Sequence, residues 1–443
     1  MSEAGDAVEV VAEDLDVPWE VAFLPGGDFL LTERPGRLTR LAPDGAGRWS
    51  VEVPGVQERG EGGLMGLALH PRFAENRWIY LYLTSDSDNR VVRYELANDG
   101  SLTAQTTLVD GIPAAAFHNG GRIAFGPDGL LYATTGDAGQ PGSAQDPMYL
   151  GGKILRMADD GSVPADSVRP TLVYSLGHRN PQGLVWDTEG RLWSTEHGAS
   201  SGLDELNQVE PGGHYGWPTA QGDARVPGRT LPVLHSGPET TWAPSGAAYL
   251  AGRVLFGGLR GQALYDVRVD VPSPELTVHF FGDFGRIRTV RIGPDGLIYL
   301  LTGNRVLIND QVQMHAASTM KVPVMVEVFN QAAQGRFALT DSILVTNKFH
   351  SIVDGSEYWM DISEDSDSAT YQLVGRRATI YDLTYAMITV SSNLATNNLI
   401  ALVGAGNVMA TLKSIGVRQM QVLRGVEDLL AYRQGLSNTT HGI

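Results

Sequence analysis

The chain contains no cysteine. That excludes a disulfide framework, a thiolate metal site and a thiol nucleophile, and it leaves the redox compartment without a signal. Cations are also scarce: 33 Lys and Arg stand against 50 Asp and Glu, for a net charge of −17. A surface this acidic argues against non-specific binding to nucleic acid or to an anionic membrane. An anionic ligand would need a local cluster of arginines. No apolar run reaches the length of a membrane span. The opening residues, Met1 to Asp6, lack a basic stretch followed by an apolar core, so no signal peptide is expected there.

What is abundant is glycine, at 53 residues, with 23 prolines, which points to many turns and a β-rich chain. The turns recur. Leu24-Pro25-Gly26-Gly27 precedes Phe29 to Thr32, Pro127-Asp128-Gly129 precedes Leu131 to Thr134, Glu189-Gly190 precedes Leu192-Trp193, and Pro294-Asp295-Gly296 precedes Ile298 to Leu301. Degenerate copies stand at His70-Pro71 and at Ala243-Pro244-Ser245-Gly246. The markers fall at positions 25, 71, 127, 187, 244 and 294, a spacing of propeller-blade length. Each is followed by an inner strand and, at Arg37 to Leu41, Val91 to Tyr94, Lys153 to Arg156 and Ala263 to Val267, by an outer one. The expected fold of residues 1–304 is therefore an all-β six-bladed β-propeller. A β-sandwich would not need so regular a period.

Polar groups cluster near the expected strand ends, where a rigid β scaffold can fix them. The densest stretch runs from Gly177 to Trp217 and holds Gly177-His178-Arg179-Asn180, Glu196-His197-Gly198-Ala199 and Asp204-Glu205-Leu206-Asn207. His118 and Asp137 flank the third marker, and Arg260, Arg286 and Arg288 follow in later units. Any one arginine reads most simply as an ion pair. Four that converge would suit a multiply anionic planar ligand, because guanidinium forks bind carboxylates bidentately.

Residues 1 to about 304 resemble the soluble quinoprotein sugar dehydrogenases. The resemblance rests on Glu61 to Pro71, His118 with Gly121-Arg122, Gly136-Asp137, Gly177 to Gly183, Asp204 to Asn207, Tyr215 to Pro218, Arg286 and Arg288. It implies oxidation of aldoses with pyrroloquinoline quinone (PQQ) and Ca²⁺, a separate electron acceptor, and a periplasmic or secreted setting. It implies His118 as the general base held by Asp137, and Glu61, Arg179, Asn180, Arg260, Arg286 and Arg288 around the quinone with Trp242 covering it. The carbonyls of Gly198 and Ala199 would ligate Ca²⁺, with Asp204 and Glu205 as further metal candidates. Glu61 and Arg260 depart from the Gln and Lys of glucose-oxidising relatives, which points to the broader aldose or sorbosone branch.

After Asn304 the pattern turns helical, with apolar helices expected from Val322 to a stop at Gly335, from Leu394 to Val403 followed by Gly404, and from Val408 to Ile415 followed by Gly416. Ser318-Thr319-Met320-Lys321 and Ser391-Ser392-Asn393 resemble the motifs of class A serine β-lactamases. By that resemblance Ser318 is a nucleophile, Lys321 its activator, Ser391 and Asn393 second-motif residues and Glu427 a candidate base. Ser392 replaces the usual Asp and no Lys-Thr-Gly follows, so 305–443 is expected to be a mainly α, incomplete α/β hydrolase segment, mobile and inert. Gly303-Asn304 is expected to turn Arg305 to Ile308 back onto Tyr299 to Leu301. Two other functions compete with sugar oxidation: a propeller that serves only as a binding scaffold, and hydrolysis by the C-terminal segment.

Overall fold

The computed structural model describes residues 8–43, 47–199, 202–303, 305–309 and 320–415, and then 417, 422, 425, 426, 428, 430 and 431. The chain divides into two compact units, Met1–Gln311 and Val312–Ile443. Among the described residues no helix is long and apolar enough to cross a membrane.

The first unit is a β-propeller of four-stranded antiparallel sheets. The N-terminal strand β1 (Val8–Ala12) is set aside for the last sheet. The first sheet follows it in chain order as β2 (Pro18–Phe23), β3 (Phe29–Glu33), β4 (Arg37–Leu41) and β5 (Arg48–Glu52). The second is β6 (Leu64–Leu69), β7 (Trp78–Thr84), β8 (Asn89–Leu96) and β9 (Leu102–Ile112), with a short helix at Phe73–Asn76 inserted after β6. The third is β10 (Ile123–Phe125), β11 (Leu131–Thr135), β12 (Lys153–Met157) and β13 (Val173–Leu176). The fourth is β14 (Pro181–Trp186), β15 (Leu192–Glu196), β16 (Glu205–Val209) and β17 (Leu234–His235). The fifth is β18 (Pro244–Leu250), β19 (Arg253–Gly258), β20 (Leu264–Arg268) and β21 (Glu275–His279). These five sheets are each one continuous stretch. The sixth joins the ends of the unit, in the order β1, β24 (Val306–Asn309), β23 (Ile298–Leu301), β22 (Thr289–Ile292).

The innermost strands make a closed ring: β2 lies against β6, β6 against β10, β10 against β14, β14 against β18, β18 against β22, and β22 against β2. Closure removes most free sheet edges. Buried polar groups lace the ring together. Glu20 on β2 pairs with Arg122 and with Arg291 on β22, and the Arg122 Nε donates to the Gln182 carbonyl at 2.8 Å. Arg122 and Glu20 are both fully buried. A pair so placed costs much desolvation and is destabilising to break.

The recurrent turn has a local cause. In the third and sixth sheets Gly129 and Gly296 sit at φ +77° and +81°, which an L side chain resists. The preceding Asp then accepts the backbone N–H two residues on and the hydroxyl of a strand Tyr: Asp128 from Leu130 and Tyr132, Asp295 from Leu297 and Tyr299. The degenerate marker at 244 behaves otherwise. Pro244 begins the inner strand β18 itself, and the turn to β19 comes at Ala251-Gly252. The junction pairs as expected, with Tyr299 opposite Ile308 and Leu301 opposite Val306. The Thr302 N–H donates to the Arg305 carbonyl at 2.9 Å to close the turn.

The second unit mixes helices with short strands. Among the described residues its helices of at least ten residues are Lys321–Ala333, Ile380–Thr389, Asn393–Val403 and Ala405–Ser414, and Ser342–Leu344 pairs with Arg377–Thr379. The helices share a core in which Met320, Val324, Leu383, Met387, Leu394, Leu399 and Val403 are buried. Apolar stripes remain exposed at Val322, Val326 and Phe329, and at Tyr381, Tyr385 and Ile388.

Candidate functional site

In an antiparallel sheet the start of the first strand and the end of the second lie at the same edge. Glu61, His118, Arg179, Asn180, Trp242, Arg286 and Arg288 each precede an innermost strand, while Asp137, His197 and Arg260 each follow a second strand. The topology therefore brings their backbone positions to one mouth of the ring, although they come from five sheets.

At its centre is His118. Its backbone holds φ +56°, the left-handed region that suits glycine, and its N–H donates to Glu61 Oε2 at 2.9 Å. Strain of this kind persists where the surroundings over-determine it, and it concentrates at functional sites. The His118 Nδ1 lies 2.7 Å from Asp137 Oδ1. A carboxylate there makes Nδ1 the donor and leaves Nε2 as the basic nitrogen. Asp137 is buried, which works to raise its pKa, but the bonds from His118, the Gly139 N–H and Trp217 outweigh burial and hold the carboxyl below its usual range. Trp217 Nε1 donates to Asp137 Oδ2 at 2.8 Å, and the Arg179 guanidinium lies 5.3 Å from the centre of the Trp217 ring.

Asn180 is buried with its amide fixed on both sides. Its Oδ1 accepts from the Gly120 N–H at 3.0 Å and from Gln182 at 3.3 Å, and its Nδ2 faces His197 Nδ1 at 3.5 Å. His197 in turn donates from Nε2 to the Pro244 carbonyl at 2.9 Å, and burial holds its pKa down, so it stays neutral. Beneath, His178 is stacked on Tyr215 and pairs with Glu196 at 2.7 Å. Arg288 is half-buried near Arg286, Arg122 and Arg34, with Glu61 as the opposing charge. Burial first and these like charges next push its pKa down to about 9. Arg122 and Arg34 are paired with Glu20 and Glu58, so Arg286 and Arg288 are the two of this group set to meet an anion. Arg260 donates its backbone N–H to the Trp242 carbonyl at 3.2 Å.

Three candidates are placed differently from expectation. Trp242 is buried against Phe256 and Tyr265, in the core of the fifth sheet, and does not lie over the mouth. The half-buried aromatic there is Trp217, missed because its Nε1 contact with Asp137 spans 80 residues of chain. Asp204 is committed to backbone: Oδ1 accepts the Gly198 N–H, while Oδ2 accepts the N–H groups of Trp242 and Ala243 and the Thr241 hydroxyl. Glu205 accepts from Arg229, the Gly222 N–H and Asn207, and burial followed by repulsion from Glu196 raises its pKa. Neither carboxylate is set out as a metal ligand. Asp204 instead shapes the loop carrying Gly198 and Ala199, whose own N–H donates to Gln221 at 3.0 Å.

In the second unit the Lys321 Nζ donates to the Ser391 carbonyl at 2.6 Å, to its hydroxyl at 2.8 Å and to Asn393 Oδ1 at 2.8 Å. Ser391 is held at φ +58°. Ser392 caps the helix Asn393–Val403, and Asp365 accepts the N–H groups of Asn393 and Leu394. Ser318 and Glu427 lie outside the described residues.

The family model described as Glucose / Sorbosone dehydrogenase matches residues 15–307, and one described as Beta-lactamase enzyme family matches 296–442. The two overlap on 296–307, which holds β23 and the start of β24. Aldose sugar dehydrogenase YliI of Escherichia coli is 32% identical over 67% of this chain and 89% of its own length. Quinoprotein glucose dehydrogenase B of Acinetobacter calcoaceticus is 32% identical over 48% of this chain and 52% of its own. The solved PQQ-bound form of aldose sugar dehydrogenase from Streptomyces coelicolor is 41% identical, covers 68% of this chain and 97% of its own, and superposes with a TM-score of 0.65. A family match through the whole ring of sheets, together with relatives aligned along most of their length, establishes that the chain belongs to the glucose/sorbosone dehydrogenase family.

Proposed function

We propose that the six sheets act as the blades of a quinoprotein, and that their common mouth oxidises the anomeric hydroxyl of aldose sugars to lactones with PQQ and Ca²⁺, passing electrons to a separate acceptor. The observation that carries this is the His118 and Asp137 pair beside the Arg179 and Trp217 stack. PQQ is a planar tricarboxylate, and the crowded cations around Arg288 suit such a group. Arg179, Asn180, Arg260, Arg286, Arg288 and Glu61 would hold it, and the carbonyls of Gly198 and Ala199 would hold Ca²⁺, a hard ion that accepts such oxygens. When bound, the quinone supplies the acceptor for the hydride that leaves C1. His118 Nε2 takes the proton of the anomeric hydroxyl as C1 becomes a carbonyl carbon. Asp137 stays anionic, fixes the tautomer and stabilises the imidazolium that forms. Trp217 gives Asp137 a third donor, after His118 and the Gly139 N–H, and limits water at that carboxylate.

Anaerobic titration with PQQ and Ca²⁺, followed by aldose and a dye acceptor, tests the reading. Saturable binding with sugar-dependent bleaching is expected. Absence of binding would leave the propeller as a scaffold with its arginines in ion pairs.

The bonds from Lys321 to Ser391 and Asn393 favour a second reading for the other unit, acylation of Ser318 by a β-lactam. Labelling by a fluorescent penicillin that is lost in Ser318→Ala supports it, and no labelling leaves the unit inert.

A further inference from the structure

Lys153 opens β12 and is fully buried, yet no part of the proposed chemistry uses it. Its Nζ donates to three backbone carbonyls, those of Ser143 at 3.1 Å, Ala144 at 3.0 Å and Gly151 at 2.6 Å. All three belong to the segment 136–152, which joins β11 to β12 at the mouth and begins with Gly136-Asp137. Ser143 and Ala144 lie in the 3₁₀ turn Pro141–Gln145, where the Ser143 carbonyl accepts the Asp146 N–H at 3.0 Å and Lys153 adds a second donor. A buried ammonium costs several kcal/mol of desolvation, an order-of-magnitude figure, unless each proton finds an acceptor. Here each does. Burial still presses the pKa down to about 8, and Asp146 opposes that shift.

The segment's contacts lead from this ammonium to the base. The Ala144 carbonyl that accepts from Lys153 also accepts the Gly177 N–H at 2.9 Å. The Gly177 carbonyl accepts the Trp217 N–H at 2.9 Å. Gln145, next in the turn, donates to the Trp217 carbonyl and accepts from His214 Nε2 at 2.7 Å. Trp217 therefore has its backbone fixed at both its N–H and its carbonyl by groups tied to the segment that Lys153 gathers, and its indole reaches Asp137.

We infer that Lys153 is a positioning residue, a buried cationic clasp on 136–152 that aims Trp217 and through it sets the Asp137 and His118 pair. This rests on the reading of His118 as the base for sugar oxidation. Without the ammonium, the Gly151 carbonyl loses the donor it has in Lys153 and those of Ser143 and Ala144 keep only the Asp146 and Gly177 N–H groups, so the turn relaxes and the Trp217 bond to Asp137 loosens.

The test is made on the full chain without quinone. The His118 Nδ1–H proton is followed by NMR and assigned by its loss in His118→Ala. In Lys153→Met, which keeps the stem and removes the charge, this proton is expected to shift upfield or exchange out. In Lys153→Ala, propylammonium, which matches the deleted atoms from Cγ to Nζ, is expected to restore it, and 1-propanol is not. A native signal in folded Lys153→Met overturns the inference. Should that variant not fold, Gln145→Ala decides, since it cuts the tie to Trp217 and leaves Lys153 in place: a shifted proton supports the clasp and an unshifted one overturns it. With quinone and sugar, kcat should fall by roughly 10- to 10²-fold with KM little changed, the cost of a slightly misplaced group. If the wild-type protein oxidises no sugar, the reading of the base fails while the proton still reports on the clasp.

Discussion

At the scale of single residues, the mouth separates groups that move a proton from groups that hold charge. His118 has its Nδ1 committed to Asp137, which leaves Nε2 for substrate. His118→Ala should lower kcat by roughly 10²- to 10⁴-fold and leave quinone affinity, measured by fluorescence titration, nearly intact. Arg288→Ala should do the reverse, weakening quinone binding before it affects turnover. Asp137 gives a pH prediction whose sign is fixed by its contacts. Its carboxyl is held below the usual range, so the folded protein binds that proton less readily than the unfolded chain. The stability it contributes is present above the pKa of an unfolded Asp, about 4, and is lost as pH falls through the lower folded value. In Asp137→Asn, urea unfolding should show lower stability at neutral pH and a flatter dependence on pH below about 4. An unchanged slope would mean that the pair carries no linked proton.

At the scale of elements, the decisive one is β24. It lies between β1 and β23 and completes a sheet whose other strands come from opposite ends of the unit. Val306 on this strand is fully buried in the cluster that includes Leu31, Tyr299 and Leu301. A chain ended after Thr302 would leave both β1 and β23 with unpaired edges, which template association. That truncation should aggregate on size-exclusion chromatography, and one ended after Gln311 should stay monodisperse. Equal behaviour of the two would show that β24 is dispensable.

For the whole molecule, two compact units with separate cores predict two unfolding transitions in calorimetry. Leu399, fully buried in the second unit, and Leu300, fully buried in β23, are suited to test this. Each Leu→Ala change should cost about 2–5 kcal/mol in its own transition and leave the other in place. Leu399→Ala should also leave sugar oxidation unchanged. A single transition shifted by both variants would mean that the units fold as one.

The sequence alone determined what local forces decide. The Pro-Asp-Gly turns were legible because a positive φ at Gly129 or Gly296 and a carboxylate reaching two residues on need no distant partner. The helices at Lys321–Ala333 and Asn393–Val403, the pairing of 305–308 onto 299–301, and the nearness of His118 to Asp137 across one hairpin were legible for the same reason. The aim of side chains was decided only by tertiary structure. Trp242 and Trp217 both sit in loops, but packing on Phe256 and Tyr265 draws one into the core, and Asp137, 80 positions away, draws the other to the mouth. Asp204 looked like a free ligand until the Gly198, Trp242 and Ala243 N–H groups closed around it. The shared core of the second unit likewise joins Met320 to Leu394 and Val403, contacts between segments too far apart for any local pattern to encode. Hydrogen bonds and burial are satisfied by whichever chain arrives, and which chain arrives is a property of the closed ring and the packed core.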